Sequence, residues 1–395
     1  MSETLAAPSA ISAAPVPPAA HRAAAAGRLQ SLDVFRGITV AGMLLVNNPG
    51  TWSAIYPPLE HAEWHGWTPT DLIFPFFLFI VGVAMSFSLV PAMQRGAPRG
   101  TLMRKAAVRG LKLFGLGLLL ASFPWYNLDL GHLRIPGVLQ RIGVAFVAAA
   151  ALVLFLKPRA QAWAAAALLL VYWAAMRLIP VPGYGAGNLS KDGNFAAFID
   201  RAVIGTDHMW ASAKTWDPEG LFSTLPAIAT VMLGVFAGRW LRSNRPDAEK
   251  TTGMFIAGNV AMVAGLVWHA VFPINKNLWT SSYVVFTAGM ALNFLAMCYW
   301  VVDVRGQSRW ARPFLVFGMN AIAAFFLSGL MARVLNLVKI PAAPAPVSLK
   351  TWIFDHAFAS WLSPVNASLA FALCFVLFWT GVMEILYRRR IFFKV

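Results

Sequence analysis

Ten apolar runs, each about as long as a bilayer core is thick, dominate this sequence. A helix needs about 20 apolar residues to cross the hydrocarbon, and runs of that kind fall at roughly 30–48, 70–91, 103–123, 136–156, 161–179, 221–241, 252–272, 281–301, 313–335 and 365–386. The chain is 58% hydrophobic and 12% charged, against about 25% charged in a soluble domain. That balance excludes an ordinary soluble globule, a disordered chain and a disulfide scaffold. The predicted fold class is an all-α polytopic membrane protein, a bundle of about ten transmembrane helices over residues 29–395. Residues 1–28 are Ala/Pro-rich, with Pro15, Pro17 and Pro18. They read as a disordered cytoplasmic tail and lack the apolar stretch of a signal peptide.

The charges set the orientation. Lys plus Arg number 32 against 16 Asp plus Glu, a formal +16. Twenty of the basic residues fall on the side of the two termini and nine on the other, so the positive-inside rule puts both termini in the cytoplasm. The long apolar runs split the basic residues and leave no contiguous face, which argues against a nucleic-acid partner. Anionic lipid headgroups account for most of the charge. A cytoplasmic basic cluster also suits the phosphates of a nucleotide-like cofactor. Cys298 and Cys374 lie inside apolar runs and read as small apolar fillers.

Polar residues in or beside the spans are the candidates for function. Asp33 and Arg36, three apart in the first span, share a helix face and can pair. Asn47 and Asn48 close that span and read as helix caps, Asn48 above all. The stretch EHAEWHGWTPTDLIFPFF then crowds Glu60, His61, Glu63, His65 and Asp71 directly before the most apolar span. An imidazole beside a carboxylate can take a proton from a nucleophile or carry a group for a moment; the same pair can also merely cap a loop. No zinc site is expected, since Gly66 and Pro69 break the segment and no third ligand is evident. Arg134 and Arg141 flank the start of the fourth span, where Arg141 needs an anionic partner. The loop at 181–220 suits a lid or a polar ligand surface, and Asp217 and Glu219 read as caps of the next helix. Asn275, Lys276 and Asn277 stand on the same side of the membrane as His61. There is no P-loop, nucleophile elbow, CxxC or complete GxGxxG.

Several strings together, SLDVFRG, HxxWxGWTPTDLIFPFFLFIVG, RIPGVLQR, WDPEG, PINKNLW, VVDV and YRRRIFFK, resemble the transmembrane acyltransferase family that includes heparan-α-glucosaminide N-acetyltransferase. The likeness runs from about residue 29 to the C-terminus, and the chain also looks like the bacterial members found with N-acetylglucosamine-utilisation functions, in the inner membrane. It implies transfer of acetyl from cytoplasmic acetyl-CoA to the amine of a glucosamine-type acceptor on the periplasmic side. The family's active histidine falls on His61, its asparagine on Asn47 and its carboxylate on Asp71. His65 stands where the family pattern has no histidine, and the loop between Asn47 and His61 is a few residues longer, with Pro49, Pro57 and Pro58. The family forms dimers, so a homodimer is within the expectation, although no residue decides it.

Residue chemistry agrees with that implication. An amine attacks a thioester only when deprotonated, and imidazole is matched to that task near neutrality; an amide such as Asn47 can donate to the oxyanion. For CoA, the expected binding residues are Arg36, Arg141, Asp33, Asn275 and Lys276. Two other classes stay open at this point: an inner-membrane transporter of N-acetylglucosamine or related amino sugars, although no internal repeat is visible, and a membrane scaffold.

Overall fold

The protein was analysed as a computed structural model that describes residues 29–342 and 345–393; the expected N-terminal tail lies outside the described residues. Helices stand at all ten expected positions: α1 (Gln30–Asn47), α2 (Ile73–Gln94), α3 (Arg99–Ala121), α4 (Val138–Phe155), α5 (Pro158–Leu178), α7 (Thr224–Leu241), α8 (Asp247–His269), α9 (Ser281–Cys298), the pair α10 (Arg312–Met319) and α11 (Ala321–Leu337), and α13 (Pro364–Arg388). Shorter helices α6 (Phe195–Val203) and α12 (Leu349–Phe354) lie in connections. Two-residue hairpins pair β1 (Pro180–Val181) with β2 (Gly185–Ala186) and β3 (Lys339–Ile340) with β4 (Val347–Ser348).

Seven of these helices are long and apolar enough to cross a membrane, and the α10–α11 pair, bent by 74° at Asn320, makes an eighth. Two helices fall short for a visible reason. Asp33, Arg36 and Asn47 dilute α1, and Arg99, Arg104, Lys105, Arg109 and Lys112 crowd the first two-thirds of α3. Helix α1 is nonetheless central, with Val34, Phe35, Val40 and Leu44 fully enclosed.

Small residues let the helices approach closely, as they do where lipid offers no hydrophobic drive between helices. Gly37 on α1 faces the Phe314 carbonyl of α10, and Gly318 faces the Asp33 carbonyl; a Cβ at either position would stand 1.7 or 1.9 Å from that oxygen. Gly82 of α2 and Gly234 of α7 make the same reciprocal fit. Successive helices run antiparallel. The long connections 48–72, 179–223 and 270–280 therefore gather at one end of the bundle, here the His61 end. The short, basic connections gather at the other, the Arg36 end, where Asn320 accepts from the Phe393 backbone and donates to the Ile391 carbonyl.

Candidate active site

At the His61 end, local sequence fixes the carboxylate first. Thr68-Pro69-Thr70-Asp71 begins the helical turn ahead of α2: Pro at the first position and Thr68 with Asp71 as a reciprocal cap. One oxygen of Asp71, Oδ2, accepts from the backbone amides of Thr68 and Ala62, each at 3.0 Å. The other, Oδ1, stands 2.7 Å from His61 Nδ1. Asp71 is 1% exposed, so this is a carboxylate with every role assigned. It accepts a proton-bearing Nδ1 and leaves Nε2 of the imidazole as the reactive nitrogen. Tyr283 on α9 adds a hydrogen bond to the Asp71 carbonyl.

Lys276 approaches the same ring from the 270–280 connection. Its Nζ is 3.1 Å from Nε2 and 3.2 Å from Nδ1 of His61. A nitrogen equidistant from both lies over the ring rather than along either lone pair. His61, Lys276 and Asn47 line a cavity of about 490 Å³ together with Trp52, Arg134, Trp210 and Glu219. Its size and mixed lining suit a small polar ligand.

The 181–220 loop covers this end. Trp64, three residues after His61, donates its indole N–H to the Leu189 carbonyl at 2.8 Å and packs edge-on against Trp216. Arg134 holds Asp217 through two hydrogen bonds, of 2.9 and 2.6 Å, and Glu219 through a third of 2.7 Å. Burial opposes the charge on Arg134, but the two carboxylates outweigh it and keep the guanidinium above its ordinary range. Asp217 and Glu219 therefore clamp the RIPG turn to the WDPEG turn in addition to any capping. Close by, burial pushes the carboxyl of Asp200 up to about 6, against the Phe222 amide and Arg141, which pull it down.

His65 is held apart from the chemistry. Its Nδ1 accepts from the fully buried Asn275 amide at 3.3 Å, and burial, with His269 nearby, lowers its basicity. Asn275 Oδ1 also accepts from the Leu278 backbone amide, and the Asn275 backbone N–H donates to Thr280 Oγ, so its bonds are spent on the loop. Arg141 is enclosed near this end too. Its Nη2 donates to the Gly220 carbonyl and the Ser223 hydroxyl, and its guanidinium lies 5.1 Å from the Trp279 ring centroid.

Asp33 and Arg36 are at the opposite end. Arg36 Nη1 is 3.2 Å from Asp33 Oδ1 and 3.2 Å from the Gly318 carbonyl. With Arg109, Ser88 and Phe393 it lines a second cavity of about 340 Å³. A third, of about 460 Å³, adjoins the His61 cavity. It shares Met43, Asn47, Arg134, Val138 and Trp210 with the His61 cavity. Toward Arg36 it continues one helical turn along three helices: Gly117 to Leu113, Leu139 to Ile142, and Phe325 to Ile322. Neighbouring turns of α3, α4 and α11 thus line the second and third hollows.

A family model described as heparan-alpha-glucosaminide N-acetyltransferase, catalytic, matches residues 28–269, a span that holds α1, the His61–Asp71 loop and the lid. The chain belongs to that family. Among curated proteins it is similar to heparan-alpha-glucosaminide N-acetyltransferase of Homo sapiens, 33% identical over 353 residues covering 75% of this chain and 52% of that protein. Its similarity to the Mus musculus protein of the same name is 32% over 357 residues, covering 77% and 54%. The chain therefore spans about half the length of the curated relatives it matches.

Of the residues singled out from sequence, the structure brings His61, Asn47 and Lys276 to one cavity, with Asp71 bonded to His61 behind its wall. Asn275 and Arg141 support the walls of the same end, and Asp33 and Arg36 stand at the other. The Arg134 clamp went unread. Its only sequence signal is that a lone arginine and two carboxylates were all assigned to the same side of the membrane.

Proposed function

We propose that the protein is a membrane-embedded acetyltransferase that moves acetyl from cytoplasmic acetyl-CoA to the amine of a glucosamine-type acceptor on the periplasmic side of a bacterial inner membrane. The observation that carries this reading is the 2.7 Å contact between His61 Nδ1 and an otherwise saturated Asp71, with Nε2 left to the cavity. Asp71 orients the ring and balances the positive charge it gains. His61 either removes the acceptor's proton as the amine attacks the thioester or accepts the acetyl itself and passes it on. Asn47, on the cavity wall, is placed to donate to the carbonyl oxygen as it becomes anionic.

The adjoining hollows support delivery of the thioester from the Arg36 end. Arg36 and Arg109 would hold the phosphates while the pantetheine arm follows the groove of α3, α4 and α11 toward His61. Only the arm then crosses the apolar layer, and the charged nucleotide stays at the basic end. The clustering of basic residues at that end supports both termini being cytoplasmic. Trp52, Trp210 and Glu219 at the outer cavity suit a sugar face and an amine.

Incubating detergent-purified protein with acetyl-labelled CoA and a panel of amino sugars tests this. Labelled N-acetyl product is expected, and His61→Ala should lower its rate by about a thousandfold. Wild-type rates in that variant, or counterflow of N-acetylglucosamine in liposomes with no acetyl transfer at all, would overturn the reading in favour of transport.

A further inference from the structure

The corner between α10 and α11 brings a charge and an aromatic ring to one cavity. The helix breaks at Asn320 (φ −125°, ψ 36°), and its two halves meet at 74°. The residues of the break then hold other segments. The Gly318 carbonyl accepts from Arg36 Nη1 at 3.2 Å. The Asn320 carboxamide, 1% exposed, accepts from the Phe393 backbone amide and donates to the Ile391 carbonyl, both at 3.0 Å. Helix α13 is turned toward this corner by its own ending. The Ile391 N–H reaches the Leu386 carbonyl at 2.9 Å and the Arg390 N–H reaches that of Tyr387 at 3.0 Å. Arg390 takes φ +56°, the left-handed place that glycine usually fills at a helix end. Glu384 ties the same stretch of α13 to α10 by accepting from Arg312 at 2.6 Å and from Arg388 at 2.7 Å.

We propose that Phe393 is a stacking platform for the adenine base of the acetyl donor, so that the protein selects a nucleotide thioester over a phosphopantetheine thioester without adenosine. This deepens the acetyl-CoA reading and rests on it. Phe393 lines the 340 Å³ cavity together with Arg36 and Arg109. Its neighbour Phe392 packs edge-on against Tyr387, whereas the Phe393 ring is 52% exposed and makes no ring–ring contact among the described residues. An adenosine phosphate needs both kinds of wall. The two guanidinium groups suit its phosphates, and a flat aromatic face suits the base, since every base offers a π-face of its own. Phe77, Val81, Ile142 and Phe146 make the rest of the lining largely apolar, as small-molecule sites usually are. A pantetheine arm alone has no flat face to offer such a ring.

An aromatic residue near a bilayer surface also serves as an interfacial anchor. Two features go beyond anchoring. The ring stands on a cavity wall shared with cations, and its backbone is held on a buried amide at residues 391 and 393. An anchor needs only a depth in the membrane, whereas a stacking face needs a fixed place relative to the charges. The Gly318–Asn320 corner supplies that, because it holds Arg36 and the Phe393 backbone at once. A ring placed before the ligand arrives loses little freedom on binding. No bond is made or broken at Phe393, so its effect is on affinity.

Calorimetry on the full chain in phosphatidylcholine nanodiscs tests this with three probes: CoA, adenosine 3′,5′-bisphosphate, which lacks the arm, and 4′-phosphopantetheine, which lacks the adenosine. In Phe393→Ala and Phe393→Leu the affinity for CoA and for the bisphosphate should fall by about tenfold, the usual worth of one base stacked on one ring. Affinity for 4′-phosphopantetheine should not move in either variant, and Phe393→Trp should bind all three at least as tightly as wild type. Unchanged CoA affinity in both Ala and Leu variants overturns the proposal, and a fall in thermal midpoint alongside it would make the ring a membrane anchor. Full CoA affinity in the Leu variant alone, or an equal loss for 4′-phosphopantetheine, also overturns it, because bulk rather than a π-face would then be at work. Wild-type protein that binds none of the three probes overturns the acetyl-CoA reading and the proposal with it.

Discussion

The two ends of the bundle solve opposite problems with the same small set of charged residues. At the His61 end each ionisable group is locked by short bonds to others: Asp71 by two backbone amides and an imidazole, Arg134 by two carboxylates. At the Arg36 end the cations outnumber the anions, and Arg36 and Arg109 share a cavity whose walls are otherwise mostly apolar. One end fixes atoms to fractions of an ångström, as proton and acyl transfer require. The other gathers positive charge that a flexible polyanion can meet in several ways. On the proposed reading, chemistry and retention are separable, and variants should split accordingly.

The largest expected effect is at Asp71. Asp71→Asn keeps the shape of the cap but can donate to Nδ1, so the ring is free to take the wrong tautomer. A fall in kcat of about a thousandfold is expected with little change in KM for acetyl-CoA. A variant that instead raised KM alone would mean that Asp71 belongs to binding, and the contrast between the ends would fail.

Next comes the clamp. Arg134→Met leaves Asp217 and Glu219 buried without their cation, and breaking a buried pair by removing one partner costs about 3–5 kcal/mol. The thermal midpoint in detergent should drop sharply, and the double change Arg134→Met with Asp217→Asn should recover part of it. If both fall equally, the clamp is not what holds the lid turn.

A smaller effect tests the same lid by pH. Asp200 is pushed from its ordinary 3.8 to about 6 by burial. The folded state therefore binds this proton more tightly than the unfolded chain does. Its contribution to stability is present below about pH 4 and is lost as pH rises toward 6 and beyond, by an amount on the order of 3 kcal/mol. Other carboxylates titrate over the same range, so the difference between proteins is the readout. The stability of Asp200→Asn relative to wild type should rise between pH 4 and pH 7. A flat difference would show that Asp200 is ionised in the fold throughout.

How much of this was legible beforehand follows from what each feature depends on. The helices were readable because a span is a local property: twenty apolar residues declare themselves. The His61–Asp71 pair was readable because ten residues of one loop and a capping turn bring the two together. Asn47 could be placed because it ends the helix that precedes that loop. Lys276 was expected at the same end as His61, where it lies, and was read there as a cofactor-binding residue. Its approach to His61 depends on how α8 and α9 pack against α2, which no local pattern records. The Arg134 clamp joins residues 83 and 85 positions apart, and the enclosure of Arg141 depends on Trp279. The spans α1 and α3 were counted among ten crossings because their positions fit the alternation, although their charges keep them below the apolarity of the other helices.

The last and smallest effect belongs to the Arg36 end. Arg36 bonds Asp33 and the Gly318 carbonyl, so removing it also takes one partner from a carboxylate at that end. Arg36→Gln keeps hydrogen-bonding capacity and removes the charge. If the basic end only retains the co-substrate, KM for acetyl-CoA should rise by about tenfold with kcat nearly unchanged, the signature of a contact equally strong in ground and transition states. Since the contact is a charge pair near solvent, the wild-type KM should increase with salt and that of the variant much less. A fall in kcat with no change in KM would join the two ends into one mechanical unit, and a separate anchor for the nucleotide would then have to be sought among Arg109 and its neighbours on α3.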